Sequence, residues 1–153
     1  MRALLQRVKK ASVTVEGKVI GSVGEGYLIL LGVREGDTIA EAKFLAQKTA
    51  ELRVFTDPDG KMNLSMMDVG GGALVVSQFT LYADCKKGRR PSFVDAMKPP
   101  MAEKLYLDYV RFLKEAGVSH VEIGEFGADM LVSIDNDGPV TIMLDTDEIM
   151  KKG

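Results

Sequence analysis

Two short stretches hold the residues best suited to chemistry. Ser77-Gln78-Phe79-Thr80 closes an apolar run that begins at Ala73. Polar residues at the end of a buried strand put hydroxyls and backbone N–H groups at a rim. Such a rim suits a carbonyl oxygen that becomes negative during acyl transfer. An ordinary strand end with locally bonded hydroxyls would use the same residues. Asn136-Asp137-Gly138-Pro139-Val140-Thr141 is the second stretch. Its Asn-Asp-Gly-Pro core is a strong turn signal, yet it lies between two alternating runs, Met130 to Asp135 and Val140 to Asp145. Pro139 cannot donate to a sheet ladder, so it belongs at the first residue of a strand or on an edge. A Gly-Pro bond is cis at a cost of only about 0.5–1 kcal/mol, and a cis bond would aim neighbouring carbonyls the same way, as a small rigid acceptor for an amine. A plain hairpin turn is the simpler reading of these residues.

A third candidate is the run Lys86-Lys87-Gly88-Arg89-Arg90, followed by Pro91-Ser92-Phe93. Cations beside a flexible glycine suit phosphate contacts, and an aromatic ring nearby can stack on a base. A solvated charged loop has the same composition. Other chemistries find little support. One histidine, His120, and one cysteine, Cys85, give little basis for a tetrahedral zinc site, and no cofactor or metal is expected. His120 follows a helix stop in a polar context and reads as a surface residue. Gly70-Gly71-Gly72 precedes a strand and lacks the Lys-Ser/Thr of a phosphate-binding loop. Cys85 has basic neighbours but no histidine near it in sequence to act as its base.

These stretches must be positioned by the elements around them. Leu4 to Val15 reads as a strand, Ile20 belongs to a short strand, and Tyr27 to Val33 is an apolar run of the kind buried on both faces. Thr38 with Glu41 has the capping-box form and opens a helix whose inner face is Ala42, Leu45, Ala46, Thr49 and Leu52. Arg53-Val54-Phe55 starts a strand, Asp57-Pro58-Asp59-Gly60 is a turn, and Met62 to Met67 is irregular. Ala73 to Leu81 reads as one central strand. Tyr82 to Pro100 is a long ordered loop, a kind that is usually functional. A second helix covers Met101 to Ala116 with the apolar line Met101, Leu105, Tyr109, Phe112 and Ala116, and Gly117 stops it. Val121 to Ile123 is a short strand, and a final hairpin turns at Gly138-Pro139.

Two helices among mostly hairpin-linked strands make an α+β domain with an antiparallel, barrel-like sheet. The 153 residues suit a single domain, 1–153, or one subunit of a compact oligomer. With 46% hydrophobic and 27% charged residues the chain is globular. A net charge of −2 argues against a generic polyanion binder, so any nucleic-acid contact must be a local patch. A single cysteine, an N-terminus without a long apolar core and no membrane-length stretch give the expectation of a cytoplasmic protein with no membrane association.

Taken together, Ser77-Gln78-Phe79-Thr80-Leu81 and Asn136-Asp137-Gly138-Pro139-Val140-Thr141 resemble the two signature motifs of the D-aminoacyl-tRNA deacylase family, also called D-tyrosyl-tRNA deacylase. The resemblance covers essentially the whole chain. It takes in Met1-Arg2-Ala3-Leu4-Leu5-Gln6-Arg7-Val8, Lys61-Met62-Asn63-Leu64-Ser65, Tyr82-Ala83-Asp84 and Lys87-Gly88. It also takes in Arg90-Pro91-Ser92-Phe93 and Gly127-Ala128-Asp129-Met130. Neither motif departs from the family pattern; only opening apolar positions and Ile123 do.

The resemblance implies a homodimer of barrel-like subunits with two helices each and active sites at the subunit interface. It implies hydrolysis of the ester between a D-amino acid, or achiral glycine, and the terminal adenosine of tRNA. Gly138-Pro139 would be cis, enter the partner's site, hold the substrate amine through its carbonyls and exclude an L side chain. Asn136 and Thr141 belong to that motif, and Arg7 would brace it. Backbone groups at Phe79 and Thr80 would line the carbonyl site, with Ser77 and Gln78 shaping the pocket. Either the 2′-hydroxyl of the terminal ribose or Thr80 would assist the attack. Lys86, Lys87, Arg89 and Arg90 would contact tRNA. Two other classes use the same residues: a binding module holding tRNA ends without chemistry, and an esterase acting on small D-amino-acid esters.

Overall fold

The computed structural model describes residues 1–151; the last two positions of the expected 1–153 domain lie outside the described residues. The strands are β1 (Arg2–Val15), β2 (Lys18–Val23), β3 (Gly26–Gly32), β4 (Phe55–Thr56), β5 (Met62–Leu64), β6 (Gly72–Ser77), β7 (Val121–Ile123) and β8 (Leu131–Asp145). The helices are α1 (Ile39–Glu51), α2 (Met101–Glu115) and a short α3 (Thr146–Ile149).

The long strand β1 organises the sheet. β3 pairs with its N-terminal half, β2 with its C-terminal part, and β8 with nearly its whole length, all antiparallel. β6 joins β3, and β7 joins β6, both parallel. The α+β class and the barrel-like sheet stand, but the sheet is mixed rather than wholly antiparallel. The reason lies in the connections: α1 lies between β3 and β6, and α2 between β6 and β7, and crossovers of that length return the chain in the same direction. β2 lies against β6 and β7, so the sheet curls into a nearly closed barrel. At the start of the β3–β6 ladder the backbones of Gly26 and Gly72 approach so closely that a Cβ on Gly26 would fall 1.9 Å from the Gly72 carbonyl oxygen.

Two apolar clusters fill the two sides of this sheet. Tyr27, Ile29 and Leu31 of β3 and Ala73 and Val75 of β6 face the helices, with Leu45, Tyr109 and Leu113 opposite them. Leu28, Leu74 and Val76 point the other way and meet Val8, Val13 and Val23. The continuous apolar run at Tyr27 is thus the signature of a strand buried on both faces.

α1 begins with the expected box: the Thr38 hydroxyl accepts from the backbone at N2 and N3, while the Glu41 carboxylate accepts from the Thr38 N–H at 2.8 Å. α2 ends at Gly117, φ +111°, where the Gly117 N–H donates to the Lys114 carbonyl and the Val118 N–H to that of Leu113, closing the helix end. Its inner face is rotated from the expected line. Ala102, Leu105, Tyr106, Tyr109, Val110 and Leu113 are buried, whereas Met101 is exposed. Tyr106 turns inward because its hydroxyl finds the Val75 carbonyl at 2.7 Å, satisfying a group that would otherwise be costly to bury.

Three local readings change. The strand expected over Ala73–Leu81 ends at Ser77, and Phe79–Tyr82 forms a 3₁₀ turn. Met62–Leu64 is a strand paired with β4. Most important, Asn136–Thr141 is not a hairpin. Both flanking runs pair antiparallel with the same strand, β1, the register shifting at the motif, and β8 is continuous through it. His120 is exposed, as its polar context implies.

Candidate active site

The 3₁₀ turn that follows β6 is held at both ends. The Gln78 N–H donates to the Leu31 carbonyl at 2.8 Å, continuing the β3–β6 ladder by one bond. The Leu81 carbonyl accepts from Arg2 Nη1 at 2.7 Å; Arg2 also donates from Nε to Asp145 at 2.9 Å and lies over the Tyr82 ring. Burial pushes the Asp145 carboxyl up, but the Arg2 and Asp147 N–H bonds outweigh it and hold the group below the usual carboxylate range. The first two N–H groups of the turn, on Phe79 and Thr80, have no carbonyl within the turn to pair with. Phe79 is 57% exposed and meets the edge of Phe93, ring centroids 5.0 Å apart. Thr80 is exposed, and its hydroxyl oxygen is bonded by the Gln78 side-chain amide. Among the described residues no histidine or carboxylate reaches that hydroxyl.

Ser77, Gln78 and Phe79 line one wall of an open cleft of about 300 Å³. The opposite walls come from Phe126 to Met130, Tyr106, Met97 and Ala102. These wall residues escaped the sequence reading as site residues. Their only local sign was the Gly127-Ala128-Asp129-Met130 match, because distant elements bring them together. Thr80, Gly138 and Pro139 do not line this cleft. Within one chain, then, the two motifs do not share it.

The second motif is a bulge. Gln6 pairs with Thr141 and Val8 with Asn136, so one residue of β1, Arg7, stands opposite four of β8, Asp137 to Val140. Gly138 and Pro139 are exposed, the bond between them is cis, and Gly138 has φ +114°. Side chains replace the missing ladder. Asn136 Nδ2 donates to the Arg7 carbonyl at 2.9 Å and to the Val140 carbonyl at 3.1 Å, and its Oδ1 accepts from the Thr141 hydroxyl at 3.1 Å. Asn136 thereby closes the neck of the bulge from both sides. The Arg7 guanidinium lies beneath it. Nη1 donates to the Val54 carbonyl at 2.7 Å, and Nε is 3.4 Å from Asp137 Oδ2. That second contact is an ion pair without aligned hydrogen-bond geometry, for Nε has no other partner.

The basic loop is pinned at its base. Asp84 and Ser92 exchange backbone bonds of 2.7 and 2.8 Å, and the Asp84 carboxylate accepts from the Lys86 N–H. Lys86, Lys87, Arg89 and Arg90 are all exposed, and none forms an ion pair among the described residues. No three His, Cys, Asp or Glu side chains converge as a metal-ligand set among the described residues. No described helix is long and apolar enough to cross a membrane.

The site thus combines an open cleft walled by Ser77, Gln78 and Phe79 with a braced glycine-proline bulge, both on one barrel-like α+β subunit. The D-Tyr-tRNA(Tyr) deacylase family profile matches residues 4–145, and the chain belongs to that family. It is accordingly an enzyme, a hydrolase acting on ester bonds. A D-aminoacyl-tRNA deacylase of Roseiflexus castenholzii is 58% identical over 95% of this chain and 92% of its own length. One of Thermus aquaticus is 56% identical over 97% of each chain. Among solved structures, one described as the c-Myc DNA Unwinding Element Binding Protein aligns with TM-score 0.89 at 43% identity, over 95% of this chain and 98% of the other. Another, described as a probable eukaryotic D-amino acid tRNA deacylase, aligns with TM-score 0.78 at 19% identity over 94% of this chain and 97% of its own, a likeness of fold alone.

Proposed function

We propose that this chain cleaves the ester joining a D-amino acid, or glycine, to the terminal adenosine of tRNA, releasing the free amino acid and tRNA, and that it rejects the L form. The observation that carries the reading is the bracing of Gly138-Pro139: an exposed backbone segment, without its ladder, held by Asn136, Thr141 and Arg7. A rigid main chain of this kind discriminates by building a clash against one hand. The Gly138 and Pro139 carbonyls hold the substrate's α-amino group, and an L side chain would be driven into them.

In the reaction, water attacks the ester carbonyl carbon. The carbonyl oxygen becomes an oxyanion facing the N–H groups of Phe79 and Thr80, while Ser77 and Gln78 shape the pocket wall. The bond to the ribose oxygen then breaks, and that oxygen takes up a proton. The 2′-hydroxyl of the terminal ribose assists the water, since Thr80 has no base beside it and an unactivated hydroxyl is a weak nucleophile. No cofactor enters the reading. Because the two motifs do not share a cleft within one chain, each site takes Gly138-Pro139 from a second copy, in a homodimer with two interfacial sites. The basic loop at Lys86, Lys87, Arg89 and Arg90 contacts the tRNA backbone. The setting is the cytoplasm, where charged tRNA is used.

Purified protein in chelator, given D-Tyr-tRNA and L-Tyr-tRNA in parallel, tests the reading: rapid release from the D form and little from the L form is expected. Equal rates on both hands, or none on the D form, contradict it. Binding of both forms without turnover would favour the alternative that the exposed basic loop suggests, a tRNA-end binding module. A second expectation separates the two attack schemes. Thr80→Ala should lower the D-form rate by no more than about tenfold, because the lost hydroxyl is neither activated nor buried. A fall to the uncatalysed rate in a single-turnover assay would make Thr80 the nucleophile.

A further inference from the structure

We propose that the two-residue strand β4 is a positioning element for the bulge at Gly138-Pro139, acting through Arg7, and that Thr56 is the side chain that fixes the guanidinium. The proposal rests on the reading of Gly138-Pro139 given above, and it places residues 54 to 56 behind Arg7 as support for that bulge.

The geometry begins with the ladder. Four residues of β8 stand opposite Arg7 alone, so β1 offers the bulge no regular backbone bonds. Asn136 ties its neck, but the apex depends on what lies below. There the Arg7 side chain is only 11% exposed, and its Nη2 lies 3.1 Å from where a Gly138 Cβ would be. The other arm of the fork points away from the bulge, donating to the Val54 carbonyl at 2.7 Å and the Thr56 hydroxyl at 3.3 Å. A guanidinium is planar, so fixing one arm fixes the direction of the other. The position of β4 therefore sets the position of the group under Gly138.

β4 is itself seated firmly. Phe55 is buried and packs at a tilt on Tyr27, ring centroids 5.1 Å apart. Tyr27 is the direct cross-strand partner of Arg7, on the same face of the sheet. Its hydroxyl is buried without a partner, and burial raises its pKa despite the nearby Arg7 cation, so the phenol stays neutral and does not draw the guanidinium into an ion pair. Arg7 is left with β4 on one side and Asp137 on the other.

Thr56 is exposed, so replacing it disturbs no core. Thr56→Val keeps the shape and removes the acceptor; Thr56→Ser restores it. Rates on D-Tyr-tRNA and L-Tyr-tRNA, with Tm, are measured for wild type, both Thr56 variants, Arg7→Lys and the Thr56→Val/Arg7→Lys double variant. Thr56→Val should keep the D-form rate within about threefold of wild type while raising the L-to-D rate ratio about fivefold or more, since the loss falls on discrimination. Thr56→Ser should return the ratio to the wild-type value. The double variant should match Arg7→Lys alone, because Thr56 acts through Arg7. A lowered Tm with an unchanged ratio would make Thr56 merely structural and overturn the proposal, as would independent, additive effects of the two substitutions. A wild-type ratio of one removes the selection reading and the proposal with it. A wild-type ratio far from one, unchanged in Thr56→Val, removes the proposal alone.

Discussion

Gly138→Ala is expected to lower deacylation of a D-aminoacyl-tRNA about 100-fold, because displacing a positioned group by an ångström costs that much. Gly138 sits at φ +114°, a conformation in which an L side chain is strained. Space is also short. An added Cβ would lie 3.0 Å from Val140 Cγ2, 3.1 Å from Arg7 Nη2 and 3.2 Å from the Val140 nitrogen. These neighbours hold the bulge in place, so the methyl group must displace either the brace or the apex. The strain is about 1–3 kcal/mol, which for a chain of this size lowers Tm by only several degrees. Gly138 is exposed and lies outside both apolar clusters, so the core is untouched. Single-turnover rates on D- and L-aminoacyl-tRNA, with a thermal melt, decide the matter. Wild-type kinetics in a protein with a lowered Tm would mean that this glycine serves the backbone turn and nothing more.

The second large effect concerns Asn136, where an isosteric change should do more harm than a truncation. The two Nδ2 hydrogens point at the Arg7 and Val140 carbonyls, and Oδ1 takes the Thr141 hydroxyl. The network fixes this amide orientation, since the opposite one would set Oδ1 against both carbonyls. Asn136→Asp imposes that arrangement: a carboxylate oxygen replaces the NH₂ about 3 Å from two acceptors, and the neck of the bulge must open. Asn136→Ala removes the bonds without adding repulsion, and water can reach the half-exposed carbonyls. We expect losses in the D-form rate of about tenfold for Asn136→Ala and about 100-fold for Asn136→Asp, with selection against the L form weakened in both. The reverse order, or selection unchanged in Asn136→Asp, would show that the neck of the bulge does not govern the site.

Local signals in the sequence were reliable where one element decides its own shape. The Thr38–Glu41 box placed the start of α1, Gly117 placed the end of α2, and the unbroken apolar run at Tyr27 marked a strand covered on both sides. Caps and periodicities act within a few turns of chain, so a short window contains their cause. The face of α2 was less legible: Tyr106 is buried because a carbonyl on β6 accepts its hydroxyl, and nothing within the helix encodes that.

The residues of both motifs, and the kind of chemistry they suit, were therefore set by the sequence itself. What only the tertiary structure decided was which strand each run would choose as its partner. Asn-Asp-Gly-Pro between two alternating runs fits a hairpin, with the runs paired to each other. It fits equally a bulge in one long strand, with both runs paired to a third. The same uncertainty of partner hid the parallel pairing of β6 and the walls of the cleft. It also hid the convergence on Arg7 of Val54, 47 positions away in the chain, and Asn136, 129 positions away. Pairing is settled by which distant surfaces bury each other, and that free energy belongs to the assembled barrel rather than to any segment of it.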